Sequence, residues 1–579
     1  VLEGVREGQT NSAIAERLGI SVNTVRYHVS NMLTKLDAPD RQALASWTGA
    51  PASEARFTRG GLLAFTRFLG VAAALVAISA AVWLALDRLS GVTSEVPAAM
   101  PEVSATPSEA TAAPTVDPLA RDVPFVTDGQ FWARAFRSTS TDTRPPRTAV
   151  LPDGTLVVAW TLGTFEADPG MYNADLGTGP LPNVGGTDVA VGRLARDGTP
   201  LWSRVFGGPG SDAPDGLVVS GDAIYVSGTY QDGFEMLGPQ ASRGSSDGFL
   251  ARLDLDGNAE WVQTFGGGGR DWGGELTLFP DGDIAMSASF EESADVFGTQ
   301  VTDDEERVEF DYPGVIARLS PDGTPRWVRL VDGDALVVHP ETSEVIYSYG
   351  AGPRLPVDAP HGDWSGIAAL SRDGEPTWQY PFHGGGRTAV YSLGVSPDGS
   401  IIGVGAYASP TDFGEGEVVP NGWVAGDGNP NSGVDSFAIL LDADGTHRWV
   451  RTWGSWSLDR ASAVALDEGG EILVAGSFSN TFEIDEFGTY HLPVPDPFAP
   501  GNTRAGYVVR FTPEGKATAL RYVEGGDPER IGPMFAGSPA TEDGEILLGG
   551  RFFDRVDFPF GSLLSSEWLD YFLARIEAP

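Results

Sequence analysis

Cysteine is absent from the 579 residues. That removes disulfide scaffolds, thiol nucleophiles and cysteine-ligated zinc together, and leaves the redox compartment open. Lysine is nearly absent: Lys35 and Lys516 stand alone, and arginine supplies the rest of the 38 basic groups. Histidine is scarce, with 6 in the chain. His339, His361, His383, His447 and His491 scatter among expected loops, a spacing that builds no metal site. No His-Glu-x-x-His, Gly-x-Ser-x-Gly, phosphate-loop or dinucleotide fingerprint occurs. These absences predict a protein that is not an enzyme, with no catalytic, cofactor-binding or metal-binding residues.

What is plentiful points the other way from helices. There are 75 Gly and 42 Pro beside 15 Trp and 29 Phe, which favours many short strands joined by tight turns. Apolar residues at 41% and charged ones at 20% support a sizeable core and exclude wholesale disorder. The length alone suggests several domains. The net charge of −41 is unevenly spread: through Arg88 the balance is +2, and the remainder carries −43. So acidic a body repels phosphate backbones, so contact with nucleic acid belongs near the N-terminus.

One long apolar run exists. Residues 68–86, FLGVAAALVAISAAVWLAL, carry no charge and are flanked by Arg67 and Asp87. A helix of that length spans roughly 28 Å, close to the hydrocarbon thickness of a bilayer. Arg56, Arg59 and Arg67 precede it and acids follow, so the positive-inside rule puts the N-terminus in the cytoplasm and the C-terminal body outside. Residues 51–67 are then a juxtamembrane segment. Residues 89–124, rich in Pro, Ala, Ser and Thr, form a semi-extended linker.

From about residue 125 the chain repeats. The strand-turn-strand signature begins at Val189, Phe249, Val315, Ile367, Phe437 and Tyr507, and a last half-copy begins at Tyr571. Each copy alternates apolar and polar residues around an Asp-Gly or Glu-Gly turn, and a second such hairpin usually follows. Four strands per unit, seven times, predict an all-β seven-bladed propeller over residues 125–579; a parallel β-solenoid is the competitor. The first unit lacks the strand that the last residues supply, so one blade built from both ends would close the ring. The copy DGFLARLDLDGNAEWVQTFGGGGRDWGG from Asp247 resembles the SBBP-type propeller repeat. Blade six departs, with Ala519 where others carry Trp202, Trp261, Trp327, Trp378 or Trp449.

In such a ring both Asp-Gly hairpins of a blade fall on one face. Glycine-rich turns and the long loops 166–187, 291–311, 412–434 and 483–503 fall on the other, where Asp212, Asp271, Asp459 and Asp527 recur. Turn capping explains those carboxylates; a carboxylate-lined face for a cation or basic ligand is the alternative. The Asp-x-Asp-Gly runs at Asp254 and Asp442 read as hairpin turns rather than calcium loops.

Residues 10–37 hold two short helical patterns around Gly19-Ile20-Ser21, with Thr10 and Ser21 as N-caps. Gly8, Asn11, Ile14, Ala15, Leu18, Thr24, Val25, His28, Val29, Lys35 and Leu36 stand in a pattern that resembles the DNA-binding domain of the LuxR family. The resemblance implies an all-α helix-turn-helix domain over residues 1–50, binding DNA as a homodimer. It places Arg26, Tyr27 and Ser30 at base edges and Asn11, Thr24 and Lys35 at phosphates. Ala13 replaces the usual glutamate, and Val1 falls inside the first helix, so a longer natural N-terminus is expected.

The expectation is a multidomain single-pass membrane protein: a cytoplasmic helix-turn-helix domain, one transmembrane helix, and an extracytoplasmic propeller that senses an unknown ligand. It reads as a membrane-anchored one-component transcriptional regulator. The competing reading is a surface adhesion propeller with a vestigial helix-turn-helix. An exported propeller enzyme lacks a recognisable catalytic set.

Overall fold

An Asp-Gly turn needs a residue that tolerates positive φ, and each hairpin of the repeat supplies glycine there: Gly198 at 80°, Gly257 at 81° and Gly445 at 81°. Pairing shifts by one residue beside these turns, as between Arg252 and Leu253, a bulge that suits a three-residue loop. The computed structural model describes Arg6, Arg17 and most of residues 125–579. Gaps fall at 137–145, 164–175, 303–311, 351–364, 422–432, 493–503, 525–533 and at shorter stretches. Two compact units are separable, Val1–Pro114 and Thr115–Pro579. The apolar run 68–86, its flanks 51–67 and 89–124 and most of residues 1–50 lie outside the described residues. Among those described, no helix is long and apolar enough to cross a membrane.

The second unit is a seven-bladed propeller of antiparallel four-stranded meanders, which excludes the parallel solenoid. Blade 1 runs Arg147–Val150, Leu156–Gly163, Thr187–Leu194 and Pro200–Phe206 from inside to outside. Blades 2 to 6 repeat this order over 213–267, 272–330, 336–382, 388–453 and 460–523. Blade 7 is made from both ends, as the repeat count anticipates. Its third strand, Asp570–Glu577, pairs with Trp132–Phe136 in the register Trp132↔Arg575 to Phe136↔Tyr571. Phe125–Thr127 adds a further strand outside it.

Blades stack face to face, so their middle strands are buried on both sides; Ile401–Tyr407 is buried throughout. Buried apolar clusters fill the joint between each pair of neighbours. The joint across the seam is filled too: Trp132, Phe136 and Leu573 of blade 7 pack with Val158, Trp160 and Leu194 of blade 1.

A second contact repeats at every joint but one. The outer-strand tryptophan of one blade lies against the Asp-Gly glycine of the next blade's outer hairpin. A Cβ added to Gly198 would stand 2.6 Å from Trp132, on Gly257 2.6 Å from Trp202, on Gly374 2.8 Å from Trp327 and on Gly515 2.8 Å from Trp449. At four of these joints the indole N–H also donates into that hairpin: Trp132 to Arg196 O at 2.8 Å, and Trp202 to Leu255 O, Trp327 to Arg372 O and Trp449 to Pro513 O at 2.9 Å. The arginine two residues on donates as well, Arg329 to Gly374 O and Arg451 to Gly515 O, both at 2.8 Å.

This explains Ala519. The blade after it has no outer hairpin, because its third and outer strands come from opposite ends of the chain. Arg521 and Arg510 instead donate to the main chain of Glu577 and Pro579, both at 2.8 Å.

The long loops of the other face hold structure that the sequence reading treats as plain loop. Small hairpins occupy them in five blades, for example Ser293–Val296 with Thr299–Thr302 and Thr481–Ile484 with Gly488–His491. Each clasps the end of the preceding blade's outer strand, as at Gly266↔Asp295, Gly207↔Glu235 and His383↔Asp412.

Replacing Trp202 with alanine should lower unfolding stability by about 2–3 kcal/mol, the lower part of the core range because the ring is half-buried. Gly257→Ala should cost about 1–3 kcal/mol through strain at positive φ and the collision with Trp202. Ala519→Trp should give no gain. Urea titrations of the three variants check this, and a stabilising Ala519→Trp would count against the joint as described. Deleting residues 571–579 should lower the melting temperature of the propeller, because it leaves two strand edges unpaired.

Candidate functional site

The six residues expected to touch DNA, Asn11, Thr24, Arg26, Tyr27, Ser30 and Lys35, lie outside the described residues. Arg6 and Arg17, which are described, are helical and exposed. The site that can be built atom by atom is the loop face of the propeller.

There the carboxylates come in pairs, 24 residues apart, which the sequence reading misses. Asp188 and Asp212, Asp247 and Asp271, and Asp435 and Asp459 each join the start of a third strand to the crossing into the next blade. The main chain ties the two ends: Asp212 N donates to Thr187 O at 2.6 Å, Asp271 N to Ser246 O at 3.0 Å and Asp459 N to Val434 O at 2.8 Å. Five of the six close a turn through an N–H four residues earlier. Val184 N reaches Asp188, Gly208 N Asp212 and Gly267 N Asp271 at 2.6 Å, Arg243 N Asp247 at 2.7 Å, and Ser455 N Asp459 at 2.6 Å. Asp435 accepts from Asn421 N at 2.8 Å.

Turn capping is therefore the role of Asp212, Asp271 and Asp459, and a carboxylate-lined binding face is not what they form. Each is 0% exposed. Asp527 lies outside the described residues. Among the described residues no group of three or more His, Asp or Glu could hold a metal ion. Asp254 caps its own turn, accepting from Asp256 N at 2.9 Å and Asn258 N at 2.8 Å. His339 is a structural pin: Nδ1 accepts from Glu341 N and Thr342 N, and Nε2 meets Gly399 O of the neighbouring blade at 3.1 Å.

The pairs are electrostatically expensive. Burial pushes Asp188 up to about 6, Asp271 to about 6, Asp435 to about 7 and Asp212 to about 8, against the relief of their backbone N–H donors. Burial raises Asp459 well above the ordinary carboxylate range, and the negative charge of Asp435 adds to it. One oxygen each of Asp188, Asp247, Asp271, Asp435 and Asp459 has no hydrogen-bond partner among the described residues. In blade 2 the crowding needs glycine: a Cβ on Gly266 (φ 146°) would collide with Asp247 Oδ1 and stand 2.8 Å from Asp271 Oδ2.

With the geometry in place, comparison with known proteins separates the two units. Residues 1–48 match the family of bacterial regulatory proteins described as luxR. Over these residues the chain is similar to LuxR-type regulators. No curated protein matches the sequence. Solved structures similar to the chain include an apocarotenoid oxygenase of Synechocystis, at 12% identity and a TM-score of 0.27, covering 52% of this chain and 59% of that one. Another is the Pan2 WD40 domain of Neurospora crassa, at 11% identity and a TM-score of 0.30, covering 61% of this chain and 94% of that one. The chain thus spans little more than half the length of the oxygenase. The expectation that the protein is not an enzyme is corrected here: an enzyme stands among its structural neighbours, and the exclusion is withdrawn. At that TM-score no oxygenase activity passes to this chain. The likeness of residues 1–48 to LuxR-type regulators and the seven-bladed ring of the second unit are what stands.

Raised carboxyl pKa values carry a pH dependence. Between about pH 4 and pH 8 native Asp188, Asp212, Asp271 and Asp435 hold protons that the unfolded chain has released, so this contribution is full near pH 4 and is lost as pH rises. Across pH 5 to 8 the propeller should lose stability, about 1 kcal/mol of it through Asp271 alone and more through Asp212. Asp271→Asn should flatten that slope, read by urea unfolding at both pH values. An unchanged slope in the variant would contradict the raised Asp271 carboxyl.

Proposed function

We propose that the protein is a membrane-anchored one-component transcriptional regulator whose propeller, of SBBP type and extracytoplasmic, senses a ligand and controls a cytoplasmic LuxR-type domain. The observation that carries the reading is the coincidence of that domain with the only part of the chain free of strong negative charge. The balance is +2 through Arg88 and −43 beyond it, so the DNA-binding segment is the one segment a phosphate backbone would tolerate. The charge-free run 68–86 between Arg67 and Asp87 supports an anchor, and the arginines before it support a cytoplasmic N-terminus.

Base reading falls to Arg26, Tyr27 and Ser30, while Asn11, Thr24 and Lys35 meet phosphates. One such domain contacts one half-site, so specificity requires a homodimer. Gly70, Ala74, Ala77 and Ala81 recur at steps of three and four in the apolar run, and their small side chains let two helices approach. About 20 residues, Trp47 to Arg67, connect this helix to the DNA-binding domain, short enough for a shift in one to move the other.

Arg26→Ala should weaken operator binding by about 1–3 kcal/mol in a gel-shift titration. Equal binding by variant and wild type would remove Arg26 from the base contacts. Gly70→Ile with Ala74→Ile should reduce both crosslinked dimer and reporter output. Surviving dimer with unchanged output would leave the helix as an anchor alone.

A further inference from the structure

The connection between second and third strand of every blade emerges on the same face, because a meander places alternate turns together. Val184, Leu237, Val419, Phe487 and Leu564, at 53%, 61%, 51%, 44% and 59% exposure, all belong to these connections, in blades 1, 2, 5, 6 and 7. The other exposed large apolar side chains among the described residues, Phe125, Leu201 and Leu330, sit on outer strands. Scattered exposed leucines need no explanation; one in each of five blades on a single rim does.

Two further observations bear on that rim. Leu237 holds φ at 55°, left-handed backbone that glycine or asparagine adopts cheaply and leucine does not. The most exposed of these side chains is thus also a strained one, kept where folding gains nothing from it. The hairpins that carry the rim are anchored from below. Phe234 stacks on Phe249 at 4.6 Å, and Phe413 and Phe482 pack tilted against Phe437 at 4.7 Å and Tyr507 at 4.6 Å between ring centres. All six rings are buried. The apolar tips are therefore presented on a preformed frame, which lowers the ordering cost of binding.

Acids accompany the tips. Glu235, Glu292, Glu415 and Glu486 are exposed on the same connections and Asp557 is half-buried there, against Arg243 and Arg555. We propose that the loop-face rim is a docking surface for a basic polypeptide that inserts apolar side chains between arginines or lysines. Charge complementarity selects this occupant: an acidic rim on a body of charge −43 repels both an anionic lipid surface and a second copy of itself. The inference does not depend on the DNA-binding reading, and it concerns exposed tips rather than the buried carboxylate pairs.

The test uses the full chain and three labelled probes in fluorescence anisotropy at low salt: an alternating arginine–leucine peptide, nona-arginine, and an alternating serine–leucine peptide. The arginine–leucine peptide should bind about tenfold more tightly than either control. Combining Leu237→Ser, Phe487→Ser and Leu564→Ser should remove that advantage. The pair Leu201→Ser and Leu330→Ser on the outer strands should leave it intact. Equal binding by the triple variant would overturn the proposal. So would tighter capture by phosphatidylglycerol vesicles than by the peptide, or self-association of the chain that the triple variant abolishes.

Discussion

An indole lying on a glycine holds the ring together. A propeller blade cannot bury its two faces alone, so stability comes from the joints, and each joint needs a contact that fixes one blade's height and angle against the next. Here the outer-strand tryptophan supplies area, and at Trp132, Trp202, Trp327 and Trp449 a hydrogen bond as well, while the glycine of the next hairpin supplies both the turn and the space. Each residue depends on the other: a side chain on Gly257 would meet Trp202, and without Trp202 the Leu255 carbonyl loses one of its two donors and keeps Arg193 alone. Where the chain ends break the pattern, arginines 510 and 521 hold the last strand by its main chain.

The two faces of the ring follow from that arrangement. On the hairpin face the outer turns of blades 1 to 6 are short and lie against the preceding blade's tryptophan. On the other face the crossings between blades are tied by buried aspartates, and the connections above them are free to vary in length. A buried carboxylate with one oxygen unpartnered is a poor stabiliser in isolation, and its raised proton affinity is the measure of that cost. Its N–H four residues earlier recovers part of it and fixes the turn. The face that varies is thus built on a frame that does not.

Much of this was legible in the repeat. Alternation around Asp-Gly turns fixes strand pairs, counting them gives seven blades, and the half-copy at Tyr571 identifies the seam. Less visible was the partner of each tryptophan, because Trp202 and Gly257 are 55 residues apart and belong to different units of the repeat. Asp212, Asp271 and Asp459 were noticed as recurring, but from sequence a buried cap and an exposed ligand look alike. The signal that separates them is the partner 24 residues earlier, Asp188, Asp247 or Asp435, which is buried as well. The small hairpins at 293–302 and 481–491 escaped notice because their strands are only four residues long. The N-terminal domain was legible for a different reason: its residues match a family by identity and spacing rather than by period.

The central claim is that one chain joins a LuxR-type DNA-binding domain to a closed propeller so that the first acts as a regulator. Crosslinking the full-length protein to DNA in cells, with sequencing of the captured fragments, tests it most directly. The account predicts discrete sites with two related half-sites, lost when residues 1–48 are deleted. Capture that is no richer than with the deleted chain would contradict it.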